Sequence, residues 1–253
     1  TGGLTTLREG LRKSLNLISV RIVQQDYAPA EQVKRTAQRM GISTDIRAVD
    51  AIALGTSEVI PLEMVAAYAA YANKGVYSKP FAITKIEDRY GNTIREYNAV
   101  QYEVLSEEIA FLMTNLMQTV MDRGTGGSAR WKYKFTRPAA GKTGTTQGWS
   151  DAWFVGFTPQ LAAGVWYGVD DYQVSLGIGQ DGSKAALPTW ARFMRDGHDI
   201  LEMPRVNFQR PSGVVVSEIC SVSKMGARKA CPVEEEVYKS GSEPAQKCRI
   251  HRN

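Results

Sequence analysis

The stretch that most constrains this chain is a pair of apolar runs, 153–157 and 161–169, separated only by Thr158-Pro159-Gln160. Both runs have strand character and the connection is a tight turn, so the two should pair as an antiparallel hairpin. Just upstream stands Lys142-Thr143-Gly144-Thr145-Thr146. That arrangement suits a strand edge facing a polar, anionic ligand. Lys142 supplies a fixed positive charge, Thr143 and Thr145 supply short-range hydrogen bonds, and Gly144 keeps the backbone bare so that a substrate can lie against it. Lys-Thr-Gly alone is equally the material of an ordinary turn.

Helices are expected on either side of the hairpin. Leu7, Leu11, Leu15, Ile18 and Ile22 recur at helical spacing over 5–25. On an unbroken helix, Ser14 and Asn16 would point about 200° apart and could not line one site. They are then surface decoration, or the helix breaks and a turn presents both. Residues 29–40 read as a second helix stopped by Gly41, and 61–73 as an Ala-rich, nearly all-apolar helix for the centre of the domain. Residues 79–97 read as strand, turn and strand around Tyr90-Gly91-Asn92. Ser106 caps a long helix whose stripe is Ile109, Leu112, Met113, Leu116, Met117, Val120 and Met121, stopped by Gly124. Gly124-Thr-Gly-Gly-Ser follows as a flexible loop that lacks the residue order of a phosphate-binding P-loop. A last helix lies near 188–195. The order predicts an α+β fold, an antiparallel sheet flanked by helices, over 1–201, with a small β-rich, cysteine-bearing extension over 202–253.

Composition narrows the class. Apolar residues make up 43% of the 253 and charged residues 23%, the balance of a folded protein with ample core. No apolar run approaches the ~18 residues of a membrane span. The chain opens Thr1-Gly2-Gly3 rather than with Met, which reads as a processed product or a segment of a longer protein. Net charge is +5, spread along the chain except for Arg130, Lys132, Lys134 and Arg137. With no nucleic-acid motif beside it, that cluster reads as a solvated face or an anion-attracting rim. Cys220, Cys231 and Cys248 lie within the last 34 positions. They are expected to be structural, as one disulfide with a thiol left over. A metal site with His251 is the rival, and it lacks a second ligand pair at the usual spacing.

Taken together, Ser14-x-Asn16, Lys142-Thr143-Gly144 and Ser150-Asp-Ala-Trp-Phe-Val-Gly-Phe-Thr-Pro resemble the transpeptidase domain of bifunctional (class A) penicillin-binding proteins. Thr6-Leu-Arg-Glu-Gly-Leu-x-x-Ser-Leu-Asn and Gly182-Ser-Lys-Ala-Ala-Leu-Pro-x-Trp extend the likeness over roughly 1–200. The resemblance implies that Ser14 and Asn16 sit in a turn between helices, facing a cleft. The family's site has three parts, Ser-x-x-Lys, Ser-x-Asn and Lys-Thr-Gly. The first, which carries the nucleophile, precedes Ser-x-Asn by several dozen residues and is not among the thirteen positions before Ser14. Ser221-x-x-Lys224 matches its pattern formally, in the wrong order.

What the resemblance implies is a peptidoglycan D,D-transpeptidase. Such an enzyme cleaves a D-Ala-D-Ala amide of a stem peptide through an acyl-serine and passes the acyl group to a neighbouring amine. Lys142 would hold the lysine of the first motif neutral and attract the substrate carboxylate. Ser14 would relay a proton and Asn16 would hold the lysine and a peptide carbonyl. Thr143 and Thr145 would grip the carboxylate, with the Thr145 N–H as half of an oxyanion hole. The implied partners are stem peptides, β-lactams and an upstream segment carrying Ser-x-x-Lys, with no cofactor, metal or nucleic acid. The implied location is the extracytoplasmic side of a bacterial membrane, anchored through regions outside this sequence. A serine β-lactamase would need a Glu-x-x-x-Asn deacylation motif, absent between the two site motifs. The alternative from another class is a non-catalytic sensing or scaffolding domain. A generic anion-binding domain would not require the ordered motifs.

Overall fold

The computed structural model describes residues 5–171 and 173–251. Helix α1 (Leu7–Lys13) starts at Thr6, whose hydroxyl accepts the Glu9 N–H at 3.2 Å. It ends at Ser14, in the left-handed region at φ 54, and α2 (Asn16–Gln24) begins two residues later. The continuous helical spacing over 5–25 therefore hides a break. The Leu15 N–H turns back to the Gly10 carbonyl at 2.8 Å and the Ser14 N–H to that of Leu11 at 3.1 Å, closing α1 as a left-handed cap does. Gly10 permits the reversal, since a Cβ there would sit 3.0 Å from Ile18 Cγ2.

Helix α3 (Ala30–Arg39), a 3-10 turn (Asp50–Leu54) and α4 (Pro61–Ala72) follow. Next come four short strands, β1 (Val76–Ser78), β2 (Lys85–Glu87), β3 (Thr93–Glu96) and β4 (Gln101–Glu103), paired β1 with β4 and β2 with β3. Helix α5 (Glu107–Arg123) and the single turn α6 (Ser128–Trp131) lead into β5 (Ala140–Thr145), β6 (Asp151–Phe157) and β7 (Ala162–Gly168). These three form an antiparallel sheet in the order β5-β6-β7, with Lys142 opposite Val155 and Thr143 opposite Phe154. The expected hairpin is β6–β7. Helix α7 (Ala186–Ile200) is longer than 188–195 at both ends, because Pro188 falls in the first turn, where its missing N–H is not needed.

One core lies between the sheet and α7. Trp190 packs on Phe154 and Phe135 with centroids 4.8 and 5.3 Å apart, and its indole N–H donates to the Ala163 carbonyl at 3.1 Å. Fully buried His198 is satisfied there by Thr158 Oγ1 at 2.9 Å and the Met194 carbonyl at 2.7 Å. A second core gathers Met40, Ile46, Ala67, Ala70 and Tyr77 from α3, α4 and the β1–β4 region. Met117, Ala140 and Phe157 form a third, smaller cluster with Tyr68, Tyr71 and Phe208 packed against it. The central place expected for the Ala-rich α4 is thus where it lies. The stripe expected on α5 is shifted: Ala110, Thr114, Met117, Val120 and Met121 are buried while Ile109 is 41% exposed. Small Ala110 and Thr114, the latter donating its hydroxyl to the Ala110 carbonyl at 2.8 Å, supply the close face.

The chain beyond α7 forms a two-stranded antiparallel sheet, β8 (Val214–Cys220) and β9 (Val233–Lys239), as a β-rich extension should. It is tied back to the rest. Arg8 of α1 donates through Nε to Glu236 of β9 at 2.8 Å and reaches Asn115 Oδ1 and Thr119 Oγ1 of α5, both at 2.6 Å. Phe208 packs edge-on against Phe157 at 5.7 Å. The basic cluster is only partly a solvated rim. Arg130 donates to the Phe135 carbonyl at 3.0 Å and pairs with Asp122, while Arg137 donates to the Met203 carbonyl at 2.9 Å.

Candidate active site

The αL cap of α1 and the strand β5 put the two predicted motifs in contact. Lys142 Nζ lies 2.8 Å from Ser14 Oγ, across 128 positions of sequence. The same ammonium donates to the Thr143 carbonyl at 3.0 Å and to Thr143 Oγ1 at 3.3 Å, so its three N–H bonds have three acceptors. Burial pushes the Lys142 pKa down to about 8. Because the lysine donates to Ser14, the serine hydroxyl keeps its own proton free to pass to a third group.

Asn16 opens α2, exposed, with no hydrogen bond to Lys142 among the described residues. Thr143 Oγ1 shares a hydrogen bond with Thr125 Oγ1 at 2.9 Å. Thr145 Oγ1 accepts the Gly182 N–H at 3.0 Å, which leaves the Thr145 O–H able to donate outward. Gly144 was expected to stay bare for a substrate, and its bareness is used first inside the chain. A Cβ on it would meet Trp153 Cβ at 3.1 Å, and a Cβ on Gly182 would stand 2.6 Å from the Gly144 carbonyl. Strand β5 is paired on one side only, by β6, among the described residues. The β5–β6 connection is fixed by Thr146, whose hydroxyl accepts the Asp151 N–H at 2.8 Å and bonds Ser150 Oγ at 2.8 Å. Asp151 in turn accepts the Trp166 indole N–H at 2.8 Å.

Two contributors escape the sequence reading. Thr125 stands in the loop expected to be flexible, yet Gly126 N–H bonds the Val120 carbonyl at 3.0 Å and Gly127 N–H the Gly124 carbonyl at 3.0 Å. A Cβ at Gly124 would lie 2.6 Å from the Arg12 carbonyl, so the loop lies directly on α1. The only local signal was a hydroxyl flanked by glycines. Gly182 is the other, quoted in sequence only as the start of the Gly182-Ser-Lys-Ala-Ala-Leu-Pro stretch and given no role at the site. The formal Ser221-x-x-Lys224 match is remote: Lys224 is held on Glu234 at 2.6 Å within the extension.

The model of the penicillin binding protein transpeptidase domain matches residues 1–195. The chain belongs to the penicillin-binding protein transpeptidase family. Penicillin-binding protein 1A of Aquifex aeolicus is 35% identical over 97% of the chain, which covers 33% of that protein. Penicillin-binding protein 2D of Bacillus subtilis is 32% identical over 96% of the chain, covering 35% of it. The crystal structure of penicillin-binding protein 1A from Haemophilus influenzae superposes with a TM-score of 0.87 at 27% identity, over 96% of this chain and 41% of that one. PonA1 from Mycobacterium tuberculosis shares the fold, with a TM-score of 0.71 at 24% identity over 84% of this chain and 60% of that one. The chain thus spans about a third of the length of the curated relatives it matches. The family fits the α+β expectation and the resemblance drawn from the motifs. No helix among the described residues is long and apolar enough to cross a membrane.

Proposed function

We propose that this chain supplies two of the three motif walls of a serine-type peptidoglycan D,D-transpeptidase site, on the extracytoplasmic side of a membrane. The observation that carries the proposal is the 2.8 Å contact between Lys142 Nζ and Ser14 Oγ. A binding-only module has no need to hold a proton-relaying hydroxyl against a fixed ammonium.

The chemistry proceeds with a serine and a lysine supplied from outside residues 1–253. The serine Oγ attacks the carbonyl of the penultimate D-alanine, forming a C–O bond, and loses its proton to the neutral lysine beside it. Lys142, as a second ammonium nearby, makes charging that lysine costly and so keeps it basic. The C–N bond breaks and the departing D-alanine amine takes a proton through Ser14. The charge of Lys142 attracts the terminal carboxylate, the Thr143 and Thr145 hydroxyls grip it, and in this reading the Thr145 N–H supplies half of the oxyanion hole. An amine of a second stem peptide then displaces the serine, which recovers its proton. The Asn16 amide is suited to the substrate's peptide carbonyl. A β-lactam, whose strained amide mimics D-Ala-D-Ala, acylates the same serine and stays.

Labelling with a fluorescent penicillin tests this. Residues 1–253 alone should take no covalent label, and the chain joined with its upstream segment should be labelled on that segment, with Lys142→Ala reducing the rate by about a hundredfold or more. A labelled serine within 1–253, or normal labelling of the Lys142→Ala protein, would contradict the assignment.

A further inference from the structure

The three cysteines do not behave as one pair and a spare. At the end of the β8–β9 sheet, Cys220, Cys231, Cys248 and His251 each bring one ligating atom together, and all four atoms lie within 4.8 Å of one another. We propose that these four residues bind a zinc ion in a closed Cys3His site that fastens the extension.

The two distances from His251 fit that ion. Tetrahedral zinc, with Zn–S near 2.3 Å and Zn–N near 2.0–2.1 Å, sets neighbouring sulfur and nitrogen about 3.6 Å apart. His251 Nδ1 stands 3.4 Å from Cys220 Sγ and 3.4 Å from Cys248 Sγ. One ring nitrogen carries either one lone pair or one proton, so it cannot make two straight hydrogen bonds to two sulfurs at once. Lying equally far from both is the position of a ligand that shares a centre with them. A disulfide would use two of the sulfurs and leave the third thiol and the imidazole without a task. All three thiols are unpaired in the structure.

The backbone prepares this arrangement independently of the side chains. Gly226 is the pivot: its N–H bonds the Gln246 carbonyl at 3.0 Å and its carbonyl accepts the Cys248 N–H at 2.9 Å. The Cys220 N–H bonds the Met225 carbonyl at 2.8 Å, and the Cys231 N–H bonds that of Arg228 at 2.9 Å. Three separate segments are thus hinged at one point, each delivering a sulfur. Backbone N–H groups also aim at the sulfurs, Arg228 N–H at Cys231 Sγ at 3.2 Å and Ser223 N–H at Cys220 Sγ at 3.5 Å. Such donors are the usual outer support of a metal-bound thiolate. Cys220 and Cys248 are buried while Cys231 and His251 reach the surface, so the ion has a way in. Binding would release the three thiol protons and leave a site of net charge −1, from one Zn²⁺, three thiolates and a neutral imidazole. Arg228, whose Nε donates to the Cys248 carbonyl at 2.8 Å, carries a compensating charge beside it.

In sequence this site stood only as the rival to a disulfide because its ligands come one by one: ten residues separate Cys220 from Cys231 and sixteen separate Cys231 from Cys248, leaving only Cys248-x-x-His251 as a familiar pair. Its effect would reach further than the extension. Strand β9 carries Glu236, which holds Arg8 on α1, and α1 ends at Ser14.

The test is metal analysis and thiol titration on the purified 253-residue chain. The expected result is about one zinc per chain, with no thiol reacting until a chelator or denaturant is added and three reacting afterwards. Cobalt exchanged into the site should show sulfur-to-metal charge-transfer absorption. Cys231→Ser should lose the metal, whereas Cys231→His, which restores a fourth ligand, should retain it; that contrast separates ligation from mere folding. A chain two protons lighter with one free thiol and no metal would overturn the proposal in favour of a disulfide. Three free thiols that take up neither zinc nor cobalt on reconstitution would overturn it as well.

Discussion

Lys142 holds its charge against its surroundings. Burial pushes its pKa from 10.5 down to about 8, so between those values the unfolded chain binds a proton that the folded chain has lost. Stability from this group therefore rises with pH through that window and is lowest below about pH 8. Two outcomes follow at the scale of this residue. Lys142→Met should be more stable than the parent at pH 7, on the order of 1–3 kcal/mol after allowing for partial exposure, while labelling by penicillin in the complete site collapses. In the unsubstituted protein the labelling rate should decline as pH is raised through about 8, where the ammonium disappears. A melting curve and a pH–rate profile read these directly; a rate flat to pH 10 would remove Lys142 from carboxylate recognition. Thr125 acts through another residue. Thr125→Val keeps the shape but deletes the hydrogen bond to Thr143, worth about 1 kcal/mol, so labelling should slow about fivefold with the melting temperature little changed.

At the scale of elements, α1 and the loop before α7 clamp β5 from two directions. Arg8 and Glu236 are a half-buried ion pair, so removing one partner strands the other. Arg8→Met should destabilise by about 3 kcal/mol, and adding Glu236→Gln should recover part of that. Burial works against the Glu236 carboxylate, yet its hydrogen bond from Arg8 keeps its pKa below the usual 4.5. A depressed carboxylate loses its contribution as pH falls below that value, so acid should weaken the parent more steeply than the double variant. Gly182→Ala would set a Cβ 2.2 Å from the Trp153 carbonyl. It should push the loop off Thr145, cost about 1–3 kcal/mol and depress labelling. Most of these elements were legible in the sequence, because hydrophobic period and turn chemistry act locally. The β6–β7 hairpin and the caps at Ser106 and Gly124 follow from neighbouring residues. The α1–α2 break was not legible from spacing alone: the leucines keep helical period across it, and the break is a left-handed residue at Ser14 that the bare Gly10 makes room for.

At the scale of the molecule, α5 lies between β5 and β9, so the extension braces the site rather than hanging from it. Ending the chain after Leu201 would uncover Phe157 where Phe208 covers it and would free Arg8. The shortened chain should melt several degrees lower, and an unchanged melting temperature would show the extension to be energetically separate. Motifs made the candidate site readable, because Ser14-x-Asn16 and Lys142-Thr-Gly each carry their chemistry in a few consecutive positions. Convergence across long stretches was unreadable, which is why Thr125 emerged only from the fold and why His251, weighed in sequence as a partner of the cysteines, could not be placed beside all three.

Ser14 occupies a backbone conformation that glycine adopts freely and serine adopts at about 1 kcal/mol or more. The position therefore has two optima that disagree. Ser14→Gly should give a sturdier chain with a disabled proton relay, so heat resistance and penicillin labelling should move in opposite directions in that one variant. A laboratory population selected for thermal endurance alone would erode this corner of the protein early, and a serine that persists there marks a chain still selected for its chemistry.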